Sequence, residues 1–227
     1  DLEIAYGSYD WKNNFFKHST DDHCHIKFNK VGSVEIIKRI KKKDFVLPFW
    51  GIGHLEIINT VNKDGKALVV EPGIGYTNSF CNYRIYESWA IANHTMGLQN
   101  VYKPNFYHVV IPNYFDIDEF DISLNRENFF LFLGRISKCK GLDIAIEITM
   151  KLNEKLVVAG QGSLSELGYS TIPEHVEYVG YADVSKRKEL MSKAKGFFLL
   201  SDYIEPFGGS AIEAMISGCP VISSDWG

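Results

Sequence analysis

The sequence predicts an α/β protein built on parallel sheet, and three observations from residues 116–227 carry that expectation. Apolar runs of strand length (FFLFLG from Phe129, KLVVAG from Lys155, VEYVG from Val176, FFLLS from Phe197) alternate with the helical stretches GLDIAIEITMKL and VSKRKELMSKAK. The apolar runs are continuous, as strands are when helices cover both faces of a parallel sheet. Each run ends in glycine or a polar residue. Gly134-Arg135, Gly160-Gln161-Gly162, Gly180-Tyr181 and Ser201-Asp202 therefore collect along one sheet edge, where open α/β sheets bind ligands.

Composition narrows the class. With 227 residues and 45% hydrophobic content, the chain has material for one large domain or two small ones. No apolar run approaches the ~20 residues that span a bilayer, and no signal peptide is visible. Cys24, Cys81, Cys139 and Cys219 are widely spaced without a C-x-x-C pair, which fits free thiols in a reducing, cytoplasmic compartment. The chain starts at Asp1 and stops at Gly227 just past a predicted strand, so both sheets are expected to be incomplete and the chain a fragment. Residues 1–115 carry 13 Lys+Arg and 11 Asp+Glu (+2), and residues 116–227 carry 11 and 17 (−6), which sum to the net −4. An acidic second half argues against a nucleic-acid partner. Any phosphate there must be held by a few placed cations and backbone amides.

In chain order, residues 1–31 are polar and aromatic. Asp21-Asp22-His23-Cys24-His25 has metal-ligand residue types, but adjacent ligands on an extended chain face opposite ways, so a surface turn is expected. Gly32–Lys43 is predicted as a short amphipathic helix whose basic patch at residues 38–43 is either a solvated helix end or a peripheral membrane contact. Residues 44–50 are predicted as a buried strand ending in Gly51-Ile52-Gly53-His54, and residues 67–70 as another ending in Glu71-Pro72-Gly73. A helix is expected over 84–96 and a strand over 107–111. Residues 112–120 read as a connection, although Asp116-Ile117-Asp118 also fits a short D-x-D metal motif.

The stretch YIEPFGGSAIEAMISGCPVISSDWG, residues 203–227, carries the most chemistry. Pro206 and Gly208-Gly209 make a loop, Ser210 is the expected N-cap, and Gly218 with Pro220 ends the helix before a strand at Val221. A glycine loop opening a helix is an anion site. Glu205 and Glu213 flank it and are better suited to accept hydrogen bonds from hydroxyls than to meet phosphate. Phosphate and polyol together describe a sugar nucleotide.

The run E-P-F-G-G-S-A-I-E followed by A-M-x-x-G-x-P-V-I closely resembles the E-x7-E signature of retaining glycosyltransferases with the GT-B fold, the glycosyl transferases group 1. EPGIGYTNSFCNYRIYESWA, from Glu71, resembles the acceptor-side domain of some members. The resemblance implies two Rossmann-like domains, acceptor-side over 1–115 and donor-side over 116–227. It assigns Arg135 and Lys140, an R-x4-K pair, to the donor diphosphate, where a forked guanidinium and a point-charge ammonium both suit phosphate. It assigns Glu213 to the ribose hydroxyls, and Glu205 with the amides of Phe207, Gly208, Gly209 and Ser210 to the donor sugar and its phosphate. Gly160–Gly162 and Gly180-Tyr181 border the base, and His54 is a candidate on the acceptor side. Glu205 as a nucleophile and a front-face displacement both stay open. No metal or other cofactor is required, because Arg135, Lys140 and the helix terminus supply the positive charge. The implied function is transfer of a sugar from a nucleotide-sugar donor to a glycan or lipid-linked acceptor. A sugar-nucleotide 2-epimerase and a non-catalytic sugar-nucleotide-binding module are the alternatives.

Overall fold

Two parallel sheets organise the chain. The computed structural model describes residues 22–226. The first sheet has strand order β1-β2-β3-β4, from Phe45–Val46, Leu68–Ile74, Tyr83–Tyr86 and His108–Val110. The second has order β7-β6-β5-β8-β9, from β5 (Glu127–Leu133), β6 (Leu156–Ala159), β7 (Val176–Gly180), β8 (Ala194–Leu199) and β9 (Val221–Ser223). All neighbouring strands are parallel. Helices α1 (His23–Arg39), α2 (Leu55–Asp64) and α3 (Trp89–Leu98) accompany the first sheet. Helices α4 (Leu142–Leu152), α5 (Val184–Lys193) and α6 (Gly209–Ile216) accompany the second.

The second sheet is the better filled, with an apolar cluster on each face. Leu131, Val157 and Phe197 pack with Leu190, Met191 and Ala214 of α5 and α6. Phe132, Leu156, Val158 and Phe198 pack with Leu142, Ala145 and Ile146 of α4 on the other side. Arg126 ties the base together by donating from Nη1 to Met191 O and Ser192 O, and from Nη2 to Ser217 O. Those carbonyls belong to the C-terminal turns of α5 and α6, where the helix dipole favours a cation.

The first sheet departs from expectation at several points. The strand predicted over 44–50 pairs only at Phe45–Val46, and Phe45 is 65% exposed. Pro48 removes a ladder donor, which suits an edge position. The helix predicted over 84–96 is strand β3 followed by α3, because the Ser88 hydroxyl accepts the Ile91 N–H and starts the helix there. The stretch expected as a turn, then a helix from Gly32 to Lys43, is one helix from His23 to Arg39. Asp22 is its N-cap and accepts the Cys24 N–H, while Asp21 lies outside the described residues. Its apolar pattern is inverted: His25, Asn29 and Ser33 are buried, while Phe28, Val31 and Val34 are exposed. Of the basic patch, Lys38 and Arg39 both reach Glu35. No described helix is long and apolar enough to cross a membrane. Glu71 lies wholly buried under this sheet's loops, accepting from Tyr76 Oη at 2.8 Å and from the Phe80 and Cys81 amides at 3.0 Å. Burial, with this carboxylate close by, pushes the Cys81 thiol up to about 12.

Candidate functional site

Strand order points to one crevice. The chain winds outward from β5 through β6 to β7, then returns past β5 to β8 and β9. The winding direction reverses between β5 and β8, and the crevice beyond the carboxyl ends of those strands is the expected site. Gly134-Arg135 follows β5 there, and Ser201-Asp202 follows β8.

The signature loop is held from both sides. Asp202 N–H donates to Cys139 O at 2.8 Å, linking it to the β5–α4 turn. Glu205 N–H donates to Trp226 O at 3.0 Å, and Ser224 Oγ donates to Ser201 O at 2.9 Å, linking it to the end of β9. Phe207 stacks on Phe115 of the connecting segment, ring centroids 6.1 Å apart and nearly parallel. Pro206 reaches the first sheet: a Cβ on Gly75 would lie 3.1 Å from its ring.

The N-cap of α6 is Gly208, not Ser210. The chain enters the helix through a left-handed residue at φ 73°, a conformation that costs glycine little. Ser210 is thereby moved to the second helical position, and no side chain caps the helix start. The anion site expected from the sequence falls at this helix start. The other end is as expected. Gly218 N–H donates to Met215 O and Cys219 N–H to Ala214 O, the paired bonds of a Schellman stop.

Glu205 is the centre of a four-residue cluster. Its Oε2 accepts from Lys140 Nζ at 3.0 Å and from Ser201 Oγ at 2.5 Å, and Lys140 Nζ also donates to the Tyr203 hydroxyl. The Lys140 and Glu205 side chains are mostly buried. Burial pushes the Glu205 carboxyl up, but the Ser201 and Lys140 hydrogen bonds outweigh it and hold it below the ordinary carboxylate range. Burial pulls the Lys140 ammonium down, and the Tyr203 and Glu205 bonds more than restore it. This cluster is a charged pair kept charged.

Glu213 sits in different surroundings. Its partner is Arg187 of α5, Nη1 to Oε2 at 3.3 Å. Burial pushes the Glu213 carboxyl above its ordinary range, and the charges of Arg187 and Lys188 recover only part of that. Glu213 lines a cavity of about 320 Å³ with Arg187, Lys188, Phe115 and Asp116 among its walls. Arg135, Gly160, Gln161, Tyr181 and the same Arg187 line a neighbouring cavity of about 260 Å³. Arg187 is thus a wall common to both, and its pairing across 26 positions had no signal in the sequence.

The glycine loop after β6 is built by close approach. A Cβ on Gly160 would lie 1.7 Å from Gly134 O, so no larger residue fits there. Tyr178 Oη lies 3.0 Å from Gly160 O and 2.8 Å from Gly162 O, its single proton shared between the two carbonyls, and pins the loop from behind. Arg135 and Tyr181 are brought together by one cavity, whereas Lys140 is drawn to Glu205. His54 packs against Trp50 and Phe28, and burial followed by the charge of His25 pushes its imidazole below the ordinary range. Asp116 Oδ1 accepts the Asp118 N–H and caps a short 3-10 turn. Ligand atoms of Asp22, His23 and Cys24 lie within 4.8 Å of one another, with Asp22 already capping α1.

The model of the glycosyl transferases group 1 family matches residues 95–227, more than half of the chain. The chain belongs to that family. Its fold is GT-B. An uncharacterized glycosyltransferase of Methanocaldococcus jannaschii is 36% identical over 110 residues, which is 44% of this chain and 28% of that protein. AviGT4, a glycosyltransferase involved in avilamycin A biosynthesis, superposes with a TM-score of 0.66 at 23% identity, covering 86% of this chain and 60% of that one. Anabaena HepE in complex with UDP and glucose superposes with a TM-score of 0.56 at 20% identity, covering 88% of this chain and 57% of that one. The chain spans between 28% and 60% of the length of each of these relatives.

Proposed function

We propose that this glycosyltransferase moves a sugar from a nucleotide-sugar donor to a glycan or lipid-linked acceptor with retention of the anomeric configuration. The domain boundary is set near residue 115, with the donor on the second domain. One observation carries the reading: a charged Lys140–Glu205 pair, with Ser201, at the switch point of the second sheet. Lys140, Arg135 and the start of α6 receive the diphosphate. Glu205 accepts from donor-sugar hydroxyls through the lone pairs that Lys140 and Ser201 leave open. Glu213 accepts from ribose, and Gly160–Gly162 with Tyr181 border the base. HepE, a relative in fold, binds UDP and glucose, which supports a donor of this class.

In the proposed step, the bond from the anomeric carbon to the diphosphate oxygen breaks and a bond to the acceptor oxygen forms on the same face. The acceptor proton passes to the departing phosphate oxygen. Charge grows on the diphosphate, and placed cations and amides are worth most there, about 3 kcal/mol for a single donor. With those cations present, no metal is needed. The test is a thermal-shift screen against UDP-, GDP- and ADP-sugars, followed by turnover of the responding donor with Mg²⁺ and with EDTA. The expected result is stabilisation by one donor class and equal turnover in both buffers. No response to any donor would reject the reading, and loss of turnover in EDTA would reject its metal-free form.

A further inference from the structure

We propose that Tyr203 is a positioning residue for Lys140, holding its ammonium ready for the donor's diphosphate; this rests on the donor assignment above. The Tyr203 oxygen accepts a hydrogen bond from Lys140 Nζ. The same Nζ reaches Glu205 Oε2 at 3.0 Å and Oε1 at 3.4 Å. Phenol and carboxylate therefore hold the ammonium between them, inside a loop itself tied to β9 and the β5–α4 turn.

The second tether has a chemical purpose. An ammonium carries three N–H donors on a flexible four-carbon stem. With Glu205 as its sole partner, it is free to settle across both carboxylate oxygens. The phenol oxygen takes one N–H and biases the ammonium toward Oε2, leaving the long 3.4 Å contact to Oε1 as the one a phosphate oxygen replaces. The acceptor must also be neutral, because a second carboxylate would cancel the charge that the diphosphate has to meet. Tyr203 satisfies this: its burial, chiefly, keeps the phenol proton on above the ordinary tyrosine range. Ser201 is its counterpart on the other partner, fixing Glu205 Oε2 at 2.5 Å without adding charge. Tyr203 stands two positions before Glu205, outside the E-x7-E spacing.

The experiment compares the protein with its Tyr203→Phe variant, which keeps the ring and loses the hydroxyl, after matching far-UV spectra and melting curves. The first readout needs no donor: lysine-resolved acylation rates against pH, followed by mass spectrometry. Burial pulls Lys140 down and the two hydrogen bonds lift it. Loss of one should therefore shift its titration to lower pH and raise its acylation rate at pH 9 severalfold, with other lysines unchanged. The second readout is turnover of the responding donor, expected to fall about tenfold, the size of a charge-assisted hydrogen bond, with its alkaline limb moved to lower pH. An unchanged Lys140 titration overturns the proposal, whatever the donor does. A shifted titration in a protein whose unsubstituted form turns over no sugar nucleotide supports the tether and rejects the donor assignment.

Discussion

Glu205 and Glu213 stand eight positions apart on either side of the same glycine loop, and their side chains are almost equally buried, 14% and 13% exposed. Their proton affinities nevertheless move in opposite directions. Glu205 has a lysine and a hydroxyl on one oxygen, and its carboxyl falls below the ordinary range. Glu213 has one guanidinium at 3.3 Å, and burial keeps its carboxyl above that range. Burial alone therefore decides nothing; the number and geometry of donors to the charged form decide it. One end of the signature is built to stay ionised and rigid. The other end carries a desolvation penalty that hydroxyl donors from a bound ligand would relieve, which is the stronger argument for a ribose there.

The largest break in this comparison comes from Lys140→Met. On the proposed reading it removes a cation from the place where charge develops, and it leaves Glu205 without its ion partner. Turnover should fall by about 10²–10³, as for loss of one transition-state donor. Stability should fall by about 3 kcal/mol, the low end for an orphaned buried charge given the residual exposure of both side chains; kinetics and urea midpoints check the two effects. Arg187→Met should act on the other end. With its counter-ion gone, the Glu213 carboxyl rises further, and free nucleotide should bind about tenfold more weakly at pH 7, the size of one charge-assisted hydrogen bond. The acid limb of nucleotide binding should move to higher pH, which calorimetry at several pH values would show.

The smallest effect is on stability against pH, and its sign differs between the two carboxyls. Glu205 titrates low in the fold, so its contribution is present above the ordinary carboxylate range and lost as pH falls through its folded value. Glu213 titrates high, so its contribution is present below the ordinary range and lost as pH rises through its folded value. At pH 7, Glu205→Gln should lower the melting temperature and Glu213→Gln should leave it unchanged or raise it slightly. Differential scanning at pH 7 and pH 4 checks both, and a common direction would break the comparison.

Legibility followed the same division. The second sheet could be read in the sequence because its strands are buried on both faces, so Phe129–Leu133, Leu156–Ala159 and Phe197–Leu199 appear as unbroken apolar runs. The first sheet could be read only in part: the strands expected over 67–70 and 107–111 are β2 and β4, while its other elements differ from expectation. Tyr83–Tyr86 runs into α3 with two residues between, and Glu71 and the polar face of α1 are buried where periodicity expects apolar residues. Within the site, Glu205, Glu213, Lys140 and Gly160 were legible from spacing. Ser201 and Tyr203 lay beside Glu205, and a check of nearby hydroxyls would have found them. Arg187 had no such cue, since helix packing alone brings it to Glu213. The N-cap moved from Ser210 to Gly208 because the loop enters the helix in a left-handed turn that serine does not favour.

The central claim is that the two glutamates divide the donor between them, sugar to Glu205 and ribose to Glu213. Interactions equal in ground and transition states set binding, and those that strengthen in the transition state set turnover. The direct measurement is free-nucleotide affinity and saturated turnover for Glu205→Gln and Glu213→Gln side by side. The account predicts a turnover loss of roughly 10² with nearly unchanged nucleotide affinity for Glu205→Gln. For Glu213→Gln it predicts nucleotide binding weakened by about 1–3 kcal/mol with turnover largely kept at saturation. Equal losses of nucleotide affinity in both variants, with full turnover at saturation, would contradict it.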